Sequence, residues 1–276
     1  MNDQQIQSRT DNEINYSIIR DAEFEYIQTN PDNPNVLILL HGLFGAMSNF
    51  KCILSEFGNK MNIVIPILPF FKLPIKEVNV VGLMEHVRAF INYLNFGKIH
   101  LLGNSVGGHI GLLYTLENAT RVKSLILTGS SGLYESGLGS SFPRRGDYEY
   151  IRDVSVKVFY DISLATKDMV DEVFDIVNDP PRAIRVLHIA RSAIRYNLSN
   201  EIHRIKCPVL LVWGKNDTIT PPFVAEKFAE LVEDTHLYWI DKCGHAPMME
   251  HPFEFNRILK KFMLEIGEQS LEEKEV

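Results

Sequence analysis

Leu101-Leu102-Gly103-Asn104-Ser105-Val106-Gly107-Gly108 is the stretch that decides the fold. An apolar run from Ile99 to Leu102 leads into Gly-x-Ser-x-Gly, and apolar residues at helical spacing follow from Val106 to Leu116. The pattern predicts a strand, a tight turn and a helix. In such a turn the serine takes a strained backbone conformation that lifts its Oγ above the sheet, and a side chain on either flank would strike the adjoining strand or helix. Glycines at 103 and 107 remove those Cβ atoms.

Working outward, Val36-Leu37-Ile38-Leu39-Leu40 is apolar without alternation, as expected of a central parallel strand covered by helices on both faces. It runs into His41-Gly42-Leu43-Phe44-Gly45. Such a loop can turn a backbone N–H into the crevice above the carboxyl ends of the strands, where open α/β sheets bind ligands. Two short β-like runs between Asn15 and Thr29, around the polar Arg20-Asp21-Ala22, predict a leading antiparallel hairpin, and Pro31-Asp32-Asn33-Pro34 predicts a turn. Ala46 to Phe57 reads as a helix and Asn62 to Ile67 as a strand. Asn79 can cap a helix that carries Val80, Met84, Val87, Ile91 and Leu94 on one face and ends at Gly97. With Val122 to Leu127 as a further strand, the alternation implies right-handed crossovers and a parallel sheet.

After Thr128 the pattern changes. Glycine and serine cluster at 129–132 and again at Gly137-Leu138-Gly139-Ser140-Ser141, which predicts a flexible connection, and Tyr148 to about Ile202 reads as helix throughout. One helix carries Val170, Val173, Phe174 and Val177 on a face, and Pro180-Pro181 opens another through Ile184, Leu187, Ile189 and Ala190. The sheet resumes at Val209-Leu210-Leu211-Val212-Trp213, followed by Gly214-Lys215-Asn216-Asp217. A helix from Pro221-Pro222 to Val232, a last strand from His236 to Ile240, the loop Lys242-Cys243-Gly244-His245-Ala246-Pro247 and a final helix from about Pro252 complete the chain. The expected architecture is α/β: a mostly parallel central sheet with helices on both faces, built from residues 1–132 and 203–276, with a helical cap inserted at 133–202.

Composition narrows the function. A net charge of -7 argues against a nucleic-acid partner, which needs a basic face. The three cysteines are odd in number and show no CxxC and no zinc-site spacing, so they read as reduced, buried thiols. The first twenty residues lack the apolar centre of a signal peptide, and no run of about 18 apolar residues occurs. The expectation is a cytoplasmic protein without a membrane span. HExxH, P-loop and GxGxxG motifs are absent, so neither a metal nor a nucleotide cofactor is expected. No motif speaks to oligomeric state.

From about residue 15 to 266 the chain resembles the α/β-hydrolases, and Ser105, Asp217 and His245 stand in that family's order of nucleophile, acid and base. The resemblance implies that His41-Gly42-Leu43 supplies the oxyanion turn. Each role has a physical reason. A serine hydroxyl attacks well only if a base removes its proton, which His245 is placed to do. A buried carboxylate, Asp217, holds the imidazole in the right tautomer and stabilises the imidazolium. The backbone N–H groups of Leu43 and Val106 are the candidate donors for the substrate oxyanion, aided by the dipole of the helix that starts at Val106. His41 reads as structural, holding its own loop, and Asp241 is the alternative acid.

The substrate reading is a carboxylic ester. Gly-Asn-Ser-x-Gly-Gly, Ser48-Asn49-Phe50, and Cys243-Gly244-His245 followed by Glu250-His251-x-x-Glu254-Phe255-Asn256 also resemble the hydrolases that cleave carbon-carbon bonds in ring-opened aromatic diketone acids. Those enzymes usually read His-Gly-Ser-Gly-Pro-Gly at the oxyanion loop and carry a tryptophan after the histidine, whereas this chain has His41-Gly42-Leu43-Phe44-Gly45 and Ala246. The carbon-carbon hydrolase therefore ranks second. Thioesters and lactones use the same machinery, and a receptor for a small apolar ligand is the non-enzymatic alternative. Haloalkane dehalogenases and epoxide hydrolases of this fold place an aspartate where Ser105 stands. The four arginines at 182, 185, 191 and 195 read as solvated, leaving a mainly apolar pocket under the cap.

Overall fold

The computed structural model describes residues 17–45, 47–134 and 144–271. Eight strands form one sheet in the order β1-β2-β4-β3-β5-β6-β7-β8. They are β1 (Ile19–Asp21), β2 (Phe24–Gln28), β3 (Val36–Leu40), β4 (Asn62–Pro66), β5 (Ile99–Asn104), β6 (Val122–Thr128), β7 (Val209–Gly214) and β8 (Thr235–Ile240). The first two pair antiparallel with each other and β2 with β4, and every other pairing is parallel. The chain leaves β3 for β4 on one side and then crosses back to β5 on the other. This reversal makes the carboxyl ends of β3 and β5 the switch point, where open α/β sheets bind ligands. There β3 delivers His41-Gly42-Leu43 and β5 delivers Ser105.

The unbroken apolar run of β3 is wholly buried because its alternate residues serve different layers. Val36, Ile38 and Leu40 join the cluster under α2 (Val80–Tyr93), α3 (Val106–Glu117) and α7 (Pro222–Leu231), while Leu37 and Leu39 join the one under α1 (Lys51–Phe57) and α9 (Pro252–Glu265). Helix α2 begins as expected, with Asn79 Oδ1 accepting the N–H groups of Val81 and Gly82 at 3.1 and 3.0 Å. It ends before Gly97, at Tyr93, because Asn95 takes the left-handed conformation (φ 51°) that closes the turn. The expected helix over 46–57 is a 3-10 turn (Met47–Phe50) followed by α1, with Ala46 outside the described residues. In the leading hairpin the turn falls at Ala22-Glu23, so Arg20 and Asp21 belong to β1.

Between β6 and β7 the described regular elements are helices: α4 (Tyr148–Ser155), α5 (Lys167–Asn178) and α6 (Pro180–Arg195), with 3-10 turns at Val156–Val158, Ile162–Leu164 and Ile202–Arg204; the stretch expected as helix throughout is broken at 159–161, 165–166 and 196–201. The connection expected over Gly137 to Ser141 lies outside the described residues. Thr166 and Asp179 cap α5 and α6 through Met169 N–H and Arg182 N–H. On α6 the buried stripe is Val186, Ile189, Ala190 and Ala193, and Ile184, expected inside, is 50% exposed. The helix is rotated so that Ser192 Oγ can accept Val80 N–H at 3.0 Å, which fastens α6 to α2. A short α8 (Pro247–Glu250) precedes α9.

At the amino end of the sheet His100 is buried between Ser124 Oγ (2.8 Å from Nδ1) and Glu268 Oε1 (3.0 Å from Nε2), and Lys123 Nζ lies 2.8 Å from the same carboxylate oxygen. Burial lowers the His100 pKa. The neutral ring donates Nε2–H to Glu268, and that bond with the one from Lys123 outweighs burial and holds the Glu268 carboxyl down at about 2, from 4.5. Both groups bind fewer protons folded than unfolded, so both contributions are lost on acidification: the His100 part as pH falls below 6.5, the Glu268 part as it falls from 4.5 toward 2. Urea unfolding of Glu268→Gln is expected to show lower stability near neutrality and a flatter dependence between about pH 4.5 and about pH 2.5 than the wild type. Parallel curves for the two proteins would remove Glu268 from the acid response.

Candidate active site

Ser105 has φ 57° and ψ -124°, a conformation that side-chain-bearing residues rarely adopt. It persists because the surroundings leave no alternative. A Cβ on Gly107 would lie 2.0 Å from Leu40 O, and one on Gly103 would lie 2.5 Å from Gly107 O. Helix α3 therefore sits with its backbone directly on the joint between β3 and β5, and the chain reaches it from β5 only by the sharp turn at Ser105. The His41-Gly42-Leu43 loop stands against the same residue: a Cβ on Gly42 would lie 3.5 Å from Ser105 Oγ. Leu43 and Val106, whose N–H groups are the candidate donors, both border the cavity that opens there.

Asp217 follows β7 and His245 follows β8. The structure brings them together: His245 Nδ1 is 2.9 Å from Asp217 Oδ2, with the aspartate 3% and the histidine 6% exposed. The carboxylate is fully used. Oδ1 accepts Ile219 N–H (2.8 Å) and Thr220 N–H (2.9 Å), and Oδ2 also accepts the Thr220 hydroxyl (2.8 Å). Burial raises the Asp217 pKa, but the charge of His245 and the hydrogen bonds from His245 and Thr220 outweigh it and leave the carboxyl below its ordinary value. Trp213, fully buried at the end of β7, donates Nε1–H to Thr220 O at 2.8 Å and so fixes the turn that carries the acid. An ionised partner at Nδ1 favours the tautomer with the proton on Nδ1, which leaves a lone pair on Nε2. Asp241, the alternative acid, is solvent-exposed and lies 3.7 Å from Lys215.

Two residues near the site carry more than their sequence positions suggest. Asn104 Nδ2 donates to Thr128 O (3.0 Å) and to His245 O (3.1 Å), tying the histidine loop to β5 and β6. Thr220 bonds Asp217 and lies 3.2 Å from His245 Nδ1. The signal for Asn104 is a polar amide at the end of an apolar strand, where an unpartnered side chain would be costly. His41 accepts Leu68 N–H on Nε2 (3.3 Å) and donates Nδ1–H to Gly42 O (2.9 Å). Burial lowers its pKa, so it stays neutral and holds its loop.

The cavity of about 210 Å³ above Ser105 is bounded below by Leu43, Val106 and His245 and above by Val154, Val173 and Ile194 of the inserted helices. Among its described lining residues Glu172 is the one acid and none is lysine or arginine. The arginines of α6 are turned elsewhere. Arg185 bonds Leu73 O at 2.6 Å, Arg182 stacks 4.7 Å over Phe71, and Arg191 and Arg195 are exposed. All three cysteines are free; Cys243 is buried, while Cys52 and Cys207, expected inside, are half-buried. Burial pushes the thiols of Cys52 and Cys207 up to about 12 and about 11. Among the described residues no group of three or more His, Cys, Asp and Glu could hold a metal, and no helix is long and apolar enough to cross a membrane.

The chain is 28% identical over 263 residues to a 2-hydroxy-6-oxo-6-(2'-aminophenyl)hexa-2,4-dienoic acid hydrolase of Metapseudomonas resinovorans, covering 88% of each chain. It is 21% identical over 282 residues to a monoacylglycerol lipase of Mus musculus, covering 92% of this chain and 83% of the lipase. Among solved structures, an alpha/beta hydrolase from the sediment metagenome of the Mar Chica lagoon, Morocco, superposes with a TM-score of 0.75 at 36% identity, covering 90% of this chain and 98% of the other. The sequence pattern of the alpha/beta hydrolase family matches residues 37–258. With that match laid over the sheet, the elbow and the switch-point crevice, the chain belongs to the alpha/beta hydrolase family.

Proposed function

We propose that this hydrolase cleaves small to medium carboxylic esters with an uncharged acyl or aryl group, and that residues 133–202 act as the cap that selects it. The observation that carries the reading is the lining of the cavity, apolar for most of its surface and without a described basic side chain. Such a lining excludes water and favours neutral substrates. In the proposed reaction Ser105 Oγ attacks the ester carbonyl as His245 Nε2 takes its proton, and Asp217 stabilises the imidazolium. The oxyanion is held by the N–H groups of Leu43 and Val106, each such donor being worth about 3 to 4 kcal/mol of transition-state stabilisation. Collapse expels the alcohol, protonated by His245, and leaves an acyl-enzyme. Water, deprotonated by the same imidazole, releases the carboxylic acid and restores Ser105.

The 28% identical relative, named as a dienoic acid hydrolase, favours a second reading, carbon-carbon bond hydrolysis of ring-opened diketone acids. A cation is the strongest partner for a substrate carboxylate, and the α6 arginines that would supply one are engaged at Leu73 O and Phe71 or exposed, none of them lining the cavity. The ester reading therefore stands first, with thioesters and lactones presenting the same reactive carbonyl.

Ser105→Ala deletes one oxygen, so it is expected to leave the unfolding midpoint nearly unchanged while ester turnover falls by several orders of magnitude. Near-normal turnover in that variant would take Ser105 out of the mechanism. Asp217→Asn keeps the shape but favours the wrong imidazole tautomer, and kcat is expected to fall on the order of 10⁴-fold; a silent change would transfer the acid role to another carboxylate. Comparing kcat/KM for a neutral aryl ester and its carboxylate-bearing analogue separates the two substrate readings. Similar values or a preference for the neutral ester are expected, and a 100-fold preference for the charged one, about 2.7 kcal/mol, would favour the diketone acid.

A further inference from the structure

Glu250 lies in the Cys-Gly-His to Glu-His stretch of the sequence, and the chemistry above leaves it unused. Its carboxylate sits between two segments. Oε1 accepts Gly244 N–H at 2.6 Å, one residue before His245, and Oε2 accepts Tyr160 N–H at 2.7 Å and Asp161 N–H at 3.3 Å, at the root of the inserted helices. The two segments also touch directly. His245 N–H donates to Val158 O at 2.7 Å, and a Cβ on Gly244 would lie 2.6 Å from that same oxygen. The turn carrying the acid joins them, because Thr218 Oγ1 donates to Lys157 O at 3.2 Å. Val158 and Phe159 in turn line the cavity with Ser105 and His245.

The charge and the span of the side chain both matter. An ionised carboxylate gives each N–H a charge-assisted bond, roughly twice as strong as a neutral one. Having two oxygens, it can serve Gly244 and Tyr160 together. A glutamine of the same size presents an NH₂ to one of those N–H groups and can hold only one segment.

We propose that Glu250 is a positioning residue that clamps the His245 loop to the root of the inserted helices, so that imidazole placement over Ser105 and the cavity wall at Val158 and Phe159 move as one unit. The proposal rests on the Ser105 and His245 mechanism, but not on the identity of the substrate.

The test compares Glu250→Gln with the wild type in two measurements. One is the rate at which a small fluorophosphonate labels Ser105, which reads serine activation with any substrate. The other is hydrogen exchange at the His245 amide, which is bonded to Val158 O and not to Glu250. Labelling is expected to slow by at least about 10-fold, as small misplacements of catalytic groups do, while exchange at His245 and Tyr160 rises together and the strand amides of β3 and β5 stay protected. Glu250→Asp keeps the charge but is too short to span both segments, so it is expected to slow labelling as well and serves where the glutamine variant does not fold. Labelling within about 3-fold of wild type, a scale that leaves the imidazole in place, would overturn the proposal. So would an unchanged His245 amide, or exchange that rises across the whole sheet. A wild type that is labelled at Ser105 yet turns over no ester would sink the ester reading and leave the clamp to be judged by these same measurements.

Discussion

The whole site hangs on a contact between backbones. Leu40 at the end of β3 pairs in register with Gly103 at the end of β5, and helix α3 packs across that pair so closely that position 107 has no room for a side chain beside Leu40 O. This approach sets the height of Ser105 above the sheet and brings Gly42 of the neighbouring loop against it. A side chain at 103 or 107 would push the helix away, and overpacking a fully buried interface of this kind typically costs about 1–3 kcal/mol or more. The strained serine and the adjacent Gly42 loop are consequences of one packing decision between a helix and two strands.

Burial then makes the polar part of the site specific. Asp217 gathers hydrogen bonds on both oxygens from Ile219, Thr220 and His245, and Thr220 is itself held by Trp213. Inside a protein such bonds reinforce one another, whereas a single missing partner would leave a buried charge exposed to its full desolvation cost. Asp217, His245 and the strand ends that carry them form a network with little freedom to rearrange. The cavity wall facing it is apolar, which keeps water from competing for the same donors.

Much of this was legible in the sequence because it rests on local rules. The unbroken Val36 to Leu40 run and the glycines at 103 and 107 each follow from steric or periodic requirements that a short stretch can express, whereas the order Ser105, Asp217, His245 is legible only through the resemblance to the α/β-hydrolases. The rest depended on contacts between distant segments. Ile184 fits a helical apolar face, but its position on α6 was decided by the bond between Ser192 and Val80, 112 residues away. Asn104 reads as part of a motif, and its link to His245 O appears only when β5 and the loop after β8 are brought together. The end of α2 was misplaced because Asn95 took a conformation usually given to glycine. The arginines of α6 read as solvated, and Arg191 and Arg195 are exposed, but Arg182 and Arg185 are half-buried against Phe71 and Leu73 O, partners that spacing does not reveal.

Strand β5 carries a serine, histidine and carboxylate grouping at each of its ends. At its carboxyl end are Ser105, His245 and Asp217; at its amino end His100 bridges Ser124 and Glu268 with distances of 2.8 and 3.0 Å. In the second grouping the carboxylate is on Nε2, whereas Asp217 is on Nδ1 of His245, and Ser124 is completely buried in β6 where the register between β5 and β6 shifts. Access and backbone posture distinguish the two: Ser105 sits on a strained turn at the cavity, whereas Ser124 is sealed within the sheet, where its grouping fastens Glu268 to β5 and β6.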